Sequence, residues 1–221
     1  MEHDVEQRSD EWHALRLGKV TASRVADVVA KTKSGWGASR ANYMAQLVAE
    51  RLTGAIAESY TNAAMQRGTD LEAEARSTYE FFTNRIVTEM GFVDHPSIAD
   101  AGASPDGAVG PAGLVEIKVP NTSTHIETLL TGSVAAKYAT QIQWQLACTK
   151  RAWCDYVSYD PRLPPSMSLF IKRVPRDDAL IKSLETDVTE FLAELRLTVH
   201  RLRAKYEPEA VKPGELLLMA G

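Results

Sequence analysis

The spacing of apolar residues follows a helical period in the first third of the chain. Ser9 is a plausible N-cap for a first helix that ends at Gly18, and Thr21 is placed to begin a second. Ser39 is placed to cap a third helix, and Gly54 is placed to end it. The apolar residues of this segment fall on one face of the helix. These signals predict four helices, over residues 10–18, 21–31, 40–54 and 62–82.

Apolar alternation and β-branched residues then dominate the middle of the chain. They predict five strands, over residues 86–93, 101–109, 114–119, 153–159 and 168–174, with a helix over residues 138–149. Leucines and valines three and four apart predict a long amphipathic helix from Leu180 to Leu202. The order of elements predicts an α/β fold with a central mixed β-sheet flanked by helices, in one domain over residues 1–221.

Composition restricts the class of protein. The 221 residues are 44% hydrophobic and 24% charged, which is typical of a globular chain. We find no apolar run near the roughly 18 residues that a membrane span needs, and the N-terminus is acidic, so we expect a cytoplasmic protein without a membrane partner. Cys148 and Cys154 have neither metal-site spacing nor a disulfide framework. A net charge of −4 argues mildly against a protein that simply coats nucleic acid.

The segment SPDGAVGPAGLVEIKVP, residues 104–120, gathers candidate chemistry around one turn. Residues two apart in a strand share a face, so Glu116 and Lys118 project together while Val115 and Ile117 point into the core. The GPAG turn predicts an antiparallel hairpin that places Asp106 about opposite Glu116. Carboxylates beside a lysine suit Mg²⁺ or Mn²⁺ and the attack of water on a phosphodiester. The alternative is a surface hairpin with a weak cross-strand ion pair.

Six blocks of sequence, in order along the chain, resemble one family of nucleases. Pro105-Asp106 and Glu116-Ile117-Lys118 stand in the places of the PD-(D/E)xK motif. The blocks are WHALRLGKVTAS (12–23), RGTDLEAEAR (67–76), SPDG (104–107), LVEIKVP (114–120), QIQWQL (141–146) and YDPR (159–162). Together they are similar to the lambda-type and YqaJ-type recombination nucleases, which implies a restriction-endonuclease-like core.

The resemblance implies a centre for two Mg²⁺ ions, for which Mn²⁺ can substitute. Asp106 would bridge the ions, Glu116 and the backbone carbonyl of Ile117 would bind one of them, and Glu72 would add a further acidic ligand. Lys118 and Gln141 would lie near the attacking water, so that the implied catalytic residues are Asp106, Glu116, Lys118 and Gln141. Without the resemblance, Glu72 is one of several exposed acids. Gln143 is interpreted as structural.

The resemblance also implies a grip on a terminal 5′ phosphate. Arg16, Ser23 and Ser104 match the phosphate-binding positions, and an arginine fork with serine donors suits phosphate oxygens. Lys33 matches a basic loop residue that reaches the end of the DNA, and Trp12 is a candidate for stacking on bases. The alternatives are structural: Arg16 or Ser23 capping a helix, and Trp12 in the core.

These matches predict a Mg²⁺-dependent 5′→3′ exonuclease. It would degrade one strand of linear duplex DNA from a 5′-phosphorylated end to mononucleotides and leave a 3′ single strand for recombination. The family implies a homotrimeric ring and a single-strand annealing protein as partner. Two alternatives stay open: a structure- or sequence-specific endonuclease of the same superfamily, and a DNA-binding or annealing-partner module without catalysis.

Overall fold

Helices pack around two mixed β-sheets and a small hairpin. The computed structural model describes residues 1–33, 35–56 and 63–207, without the side chains of residues 63–65. The helices are α1 (Asp10–Arg16), α2 (Val25–Val28), α3 (Ala38–Thr53), α4 (Ala63–Thr83), α5 (Thr122–Thr131), α6 (Ala136–Thr149) and α7 (Asp178–Tyr206). The strands are β1 (Glu2–His3), β2 (Val20–Thr21), β3 (Lys31–Thr32), β4 (Gly35–Trp36), β5 (Val87–Thr88), β6 (Phe92–Asp94), β7 (Ala101–Ala103), β8 (Gly107–Val109), β9 (Gly113–Lys118), β10 (Trp153–Tyr159) and β11 (Leu169–Pro175).

A five-stranded sheet carries the Glu-x-Lys segment. Its strand order is β11-β10-β9-β8-β5, with β9 and β10 parallel and the other pairs antiparallel. A second sheet has four strands in the order β1-β6-β7-β2. It is also mixed, because β2 and β7 are parallel and the other pairs are antiparallel. The expectation of an α/β fold with a mixed sheet flanked by helices is therefore confirmed.

Two segments predicted as single strands are each divided between the two sheets. The 86–93 segment breaks into β5 and β6, and the 101–109 segment breaks into β7 and β8. At Gly91 the backbone of His3 and Val5 occupies the space that a side chain would need. Between β7 and β8, Pro105 lacks the N–H that a strand ladder requires. Apolar alternation does not detect either break.

The helix boundaries are partly as expected. Ser9 caps α1, its side chain accepting the N–H of Trp12, and Gly54 ends α3 with a φ of 67°, in the left-handed region that favours glycine. The cap of α3 was assigned wrongly to Ser39: the helix begins at Ala38 after Gly37. The predicted helix over residues 21–31 is a 3-10 turn, Ala22–Arg24, followed by the one-turn α2.

The pattern also missed α5, β1 and the β3–β4 hairpin, all short or weakly periodic. Asn62, the predicted start of the fourth helix, and residues 208–221 of the predicted single domain lie outside the described residues. Among the described helices, none is both long enough and apolar enough to cross a lipid bilayer.

The two faces of β9 meet different parts of the core. Val115 and Ile117 lie in a buried cluster with Ala75 and Tyr79 of α4, as the alternation predicts. Leu114, on the opposite face, belongs to the larger cluster formed with α6 and α7. Glu116 and Lys118 alternate with Val115 and Ile117, so the fold turns them toward α6.

Candidate active site

The β8–β9 hairpin places Asp106 next to the Glu-x-Lys strand. Gly107 pairs with Val115 in antiparallel register, so Asp106 follows directly opposite Glu116. The backbone N–H of Ile117 donates to Asp106 Oδ2 at 2.6 Å. The hairpin geometry predicted from the sequence is confirmed.

Glu116 is fully buried and is held by three donors. Gln141 Nε2 donates to Oε1 at 2.6 Å, and the ammonium of Lys118 pairs with the same oxygen. Gln145 Nε2 donates to Oε2 at 2.6 Å. A buried carboxylate needs such partners because an unpaired charge in the interior is strongly unfavourable. The structure thus brings Asp106, Glu116, Lys118 and Gln141 together as the sequence predicts.

The electrostatics of this cluster are dominated by negative charge. Burial raises the pKa of Asp106 well above its ordinary value, and the charges of Glu116 and Glu72 raise it further against the opposing effect of Lys118. Burial alone would lower the pKa of Lys118, but Glu116 and Asp106 outweigh it, and the net shift is upward. The site therefore holds its lysine charged and favours additional positive charge.

Glu72 lies in the same cleft as Asp106, on α4. The cleft has a volume of about 200 Å³, and its lining includes Arg8, Arg76 and Glu89. Glu72 Oε2 accepts from Arg8 Nη2 at 2.5 Å, while Arg76 Nη2 lies 3.4 Å from Oε1. Arg8 has a φ of 74°, which is uncommon for a residue with a side chain. In this arrangement the arginines, rather than Asp106, are the partners of Glu72.

The donor chemistry fits a hard divalent cation. Asp106, Glu116, Glu72 and the Ile117 carbonyl all offer oxygen atoms of the kind that Mg²⁺ prefers, and burial together with the charges of Glu116 and Glu72 raises the pKa of Asp106. Across the described ranges, however, no three His, Cys, Asp or Glu side chains are grouped to hold a metal unaided. In this arrangement Glu116 is held by Gln141, Gln145 and Lys118, and Glu72 by two arginines. The ligand set stays a prediction.

A second cluster surrounds Ser104, two residues before Asp106. Trp12 Nε1 donates to Ser104 Oγ at 2.8 Å, and Arg16 Nη1 donates to the same oxygen at 3.3 Å. The Arg16 guanidinium also lies 3.9 Å from the centroid of the Trp12 ring. Burial lowers the pKa of Arg16 to about 10, so it stays charged at neutral pH. Arg16 is thus directed at Ser104, and Trp12 is half-buried at this site.

The remaining predicted residues, Ser23 and Lys33, lie on exposed turns. Ser23 is exposed in the 3-10 turn after β2 and caps neither neighbouring helix. Within the described chain, its side chain forms no hydrogen bond to Arg16 or Ser104. Lys33 is exposed in the turn between β3 and β4. The phosphate contact of Ser23 and the DNA contact of Lys33 stay predictions.

Two glutamines at the site escaped the sequence reading. Gln145 lies four residues after Gln141, a spacing that puts both on one face of a helix and that could have identified it. Gln7 Nε2 donates to the carbonyls of Met90 and Pro105, both at 2.8 Å, and steadies the loop of Ser104 and Asp106. No local signal marks Gln7. Gln143 is structural as expected, bonding the carbonyl of Pro175 and the N–H of Asp177.

Three solved structures that resemble this chain carry the name exonuclease. LHK-Exo, an alkaline exonuclease from Laribacter hongkongensis, is 57% identical over 91% of this chain and 100% of its own, with a TM-score of 0.85. LHK-Exo in complex with dAMP gives the same identity and coverage, with a TM-score of 0.86. A phage-related exonuclease from Haemophilus somnus 129PT, 13% identical, shares the fold over 83% of this chain and 96% of its own, with a TM-score of 0.69.

The sequence comparisons give one family. No curated protein matches the chain significantly. The pattern of the YqaJ-like viral recombinase domain matches residues 11–152, which include both side-chain clusters around Ser104 and Asp106. With more than half of the chain matched, and with the likeness to LHK-Exo, the protein belongs to the YqaJ-like viral recombinase family.

Proposed function

We propose that this protein is a Mg²⁺-dependent 5′→3′ exonuclease that acts in recombination. Its substrate is linear double-stranded DNA with a 5′-phosphorylated end, and it removes mononucleotides from that strand. A nuclease role in recombination is supported by the family and by the alkaline exonuclease LHK-Exo. The proposal goes beyond this role in three respects: the Mg²⁺ requirement, the 5′→3′ direction of degradation and the duplex substrate.

One observation carries it: a single three-residue loop joins the two clusters. Ser104 accepts from Trp12 and Arg16, and Asp106 faces Glu116 and Lys118 across the hairpin. A phosphate bound by Arg16 and Ser104 would therefore lie beside the carboxylates. This closeness suits an enzyme that recognises a terminal phosphate and cuts near it.

The residues have separable roles in this proposal. Asp106, Glu116, Glu72 and the Ile117 carbonyl would hold Mg²⁺, and Mn²⁺ could substitute. Bound there, the metal would activate water and stabilise charge that develops on the phosphate. Lys118 supplies a fixed positive charge for the phosphate, since its pKa is raised. Gln141 is half-buried beside Glu116, where its amide can orient a nucleophilic water.

The relatives support the product class. The LHK-Exo complex contains dAMP, a deoxynucleoside monophosphate, which is the kind of product that an exonuclease releases. On the family resemblance described in the sequence analysis, we also propose a homotrimer that encircles DNA, in the cytoplasm of a bacterial host, with a single-strand annealing protein as partner. Encirclement would reconcile DNA binding with a net charge of −4, because only the channel wall must be basic.

Digestion of matched DNA substrates tests the proposal. Linear duplexes with 5′-phosphate or 5′-hydroxyl ends and a covalently closed circle are incubated with Mg²⁺, and each is repeated with EDTA. We expect mononucleotides from the phosphorylated linear DNA, slower release from the hydroxyl ends, no cutting of the circle and no activity in EDTA. Cutting of the circle would indicate the endonuclease alternative. Binding without cleavage under any metal condition would indicate the non-catalytic module.

A further inference from the structure

The two oxygens of Glu116 are held in different ways. Oε1 accepts from Gln141 and pairs with Lys118, whereas Oε2 accepts from Gln145. Gln141 and Lys118 are half-buried and keep some exposed surface, but Gln145 has none. Gln145 thus contacts the carboxylate from the protein interior and cannot meet DNA in this arrangement.

The other end of the Gln145 amide lacks a partner. Its Oε1 is buried and accepts no hydrogen bond from any residue that the structure describes. An unpaired buried oxygen opposes folding. Gln143, on the same helix, differs: its Nε2 and Oε1 both form hydrogen bonds, to Pro175 and Asp177. Among the described residues, the side-chain amide of Gln145 therefore forms one hydrogen bond, which it donates to Glu116.

We infer that Gln145 is a positioning residue, which fixes the orientation of the Glu116 carboxylate for metal binding. This inference rests on the proposed function, because it assigns Glu116 to the metal. With Oε2 held by Gln145, the carboxylate cannot rotate fully toward Lys118 and Gln141. Partners behind a metal ligand typically change metal affinity or activity by about 10- to 100-fold when they are lost.

Substitution by methionine separates positioning from packing. Gln145→Met keeps the length of the side chain, removes the donor to Glu116 and also removes the unpaired oxygen. Gln143→Met is the matched control, since it lies two residues away on α6 and loses two hydrogen bonds that do not involve Glu116. Gln145→Asn is a second variant that stays polar, and its amide is one methylene too short to reach Oε2.

The main measurement is Mn²⁺ binding by calorimetry on the full chain without DNA. We expect Gln145→Met and Gln145→Asn to bind Mn²⁺ about 10- to 100-fold more weakly than the unmodified protein. Gln143→Met should bind Mn²⁺ normally but show the larger fall in Tm. In a cleavage assay, the Gln145 variants should need correspondingly more metal for half-maximal rate.

The outcomes separate this inference from the proposed function. If the unmodified protein cleaves DNA and both Gln145 variants bind Mn²⁺ as tightly as it does, the positioning role is wrong and the nuclease proposal stands. The positioning role is also wrong if Gln143→Met weakens Mn²⁺ binding equally. If the unmodified protein binds no divalent metal and cleaves no DNA, both proposals are wrong.

Discussion

At the scale of single residues, the site is built from charges that the fold tolerates poorly. Asp106 keeps a raised pKa because burial and Glu116 both disfavour its ionised form. A raised pKa means that the folded state binds the proton more tightly than the unfolded state does. The contribution of Asp106 to the free energy of unfolding is therefore most favourable in acid, where the carboxyl is protonated. It is lost as the pH rises through the pKa of the folded state. At neutral pH, Asp106 therefore destabilises the folded protein, although it is the proposed metal ligand.

Replacing Asp106 with asparagine should separate stability from activity. Asp106→Asn removes the unfavourable charge and keeps an oxygen for the N–H of Ile117, so we expect the Tm in EDTA to rise by a few degrees. Cleavage should fall by several orders of magnitude, because an amide is a poor ligand for Mg²⁺. Asp70→Asn, an exposed position on the same helix as Glu72, is the control and should change neither. A variant that keeps more than a tenth of the activity would remove Asp106 from the metal site.

Arg16 offers a second test at this scale. Arg16→Ala should slow digestion of 5′-phosphorylated ends and leave 5′-hydroxyl ends nearly unchanged. A charge-assisted contact to phosphate is worth about 1.5–3 kcal/mol, so the rate ratio should shrink roughly 10- to 100-fold. Arg24→Ala, whose partner is Asp27, is the control. An unchanged phosphate-to-hydroxyl ratio, with a lower Tm, would mean that Arg16 is structural.

At the scale of elements, buried polar residues join strands to helices. His95 follows β6, and its side chain is completely buried, stacked 4.9 Å from the ring of Trp144 on α6. Its Nδ1 accepts the N–H of Ile98 at 3.2 Å, and its Nε2 lies 3.2 Å from Glu185 on α7. Burial lowers the pKa of His95, and Glu185 opposes that shift without reversing it.

The lowered pKa predicts a loss of stability in mild acid. A depressed pKa favours folding above the ordinary value of 6.5, and this contribution is lost as the pH falls toward the folded pKa. The free energy of unfolding of the unmodified protein should therefore decline between about pH 7.5 and 5.5. His95→Phe keeps a ring against Trp144 but has no group that titrates in this range. Its free energy of unfolding should therefore decline less over the same pH range, whatever its value at pH 7.5. Denaturant unfolding at both pH values measures this, with the exposed His200→Gln as control. Equal declines in both proteins would contradict the assignment.

At the scale of the whole molecule, the proposed ring gives a prediction about mass. Light scattering at micromolar concentration should give about three times the 24.3-kDa mass of one chain. Raised salt should weaken the binding of DNA but not change that mass if apolar contacts join the copies. A monomeric mass together with full exonuclease activity would contradict the ring and leave the nuclease chemistry intact.

Much of the fold and part of the site follow from local sequence. The alternation in LVEIKV is enough to put Glu116 and Lys118 on one face and Val115 and Ile117 in the core, because a strand reverses its side chains at each residue. Ser9 and Gly54 mark helix ends by the chemistry of caps. The Pro111 turn likewise brings Asp106 to Glu116 over a short loop. Each of these conclusions depends on neighbours close in the chain.

Other features depended on contacts between distant segments. The break at Gly91, the pairing of Glu72 with Arg8, and the contact of Gln7 with the Ser104 loop all depend on residues far apart in sequence. Local periodicity carries no record of which strand edge or helix face will meet another. The sequence by itself determined the longer helices α3, α6 and α7, the strands β9, β10 and β11, and the polar face of β9. Only the tertiary structure decided which charges neutralise one another, because the separation and burial of distant side chains are fixed only when the chain packs.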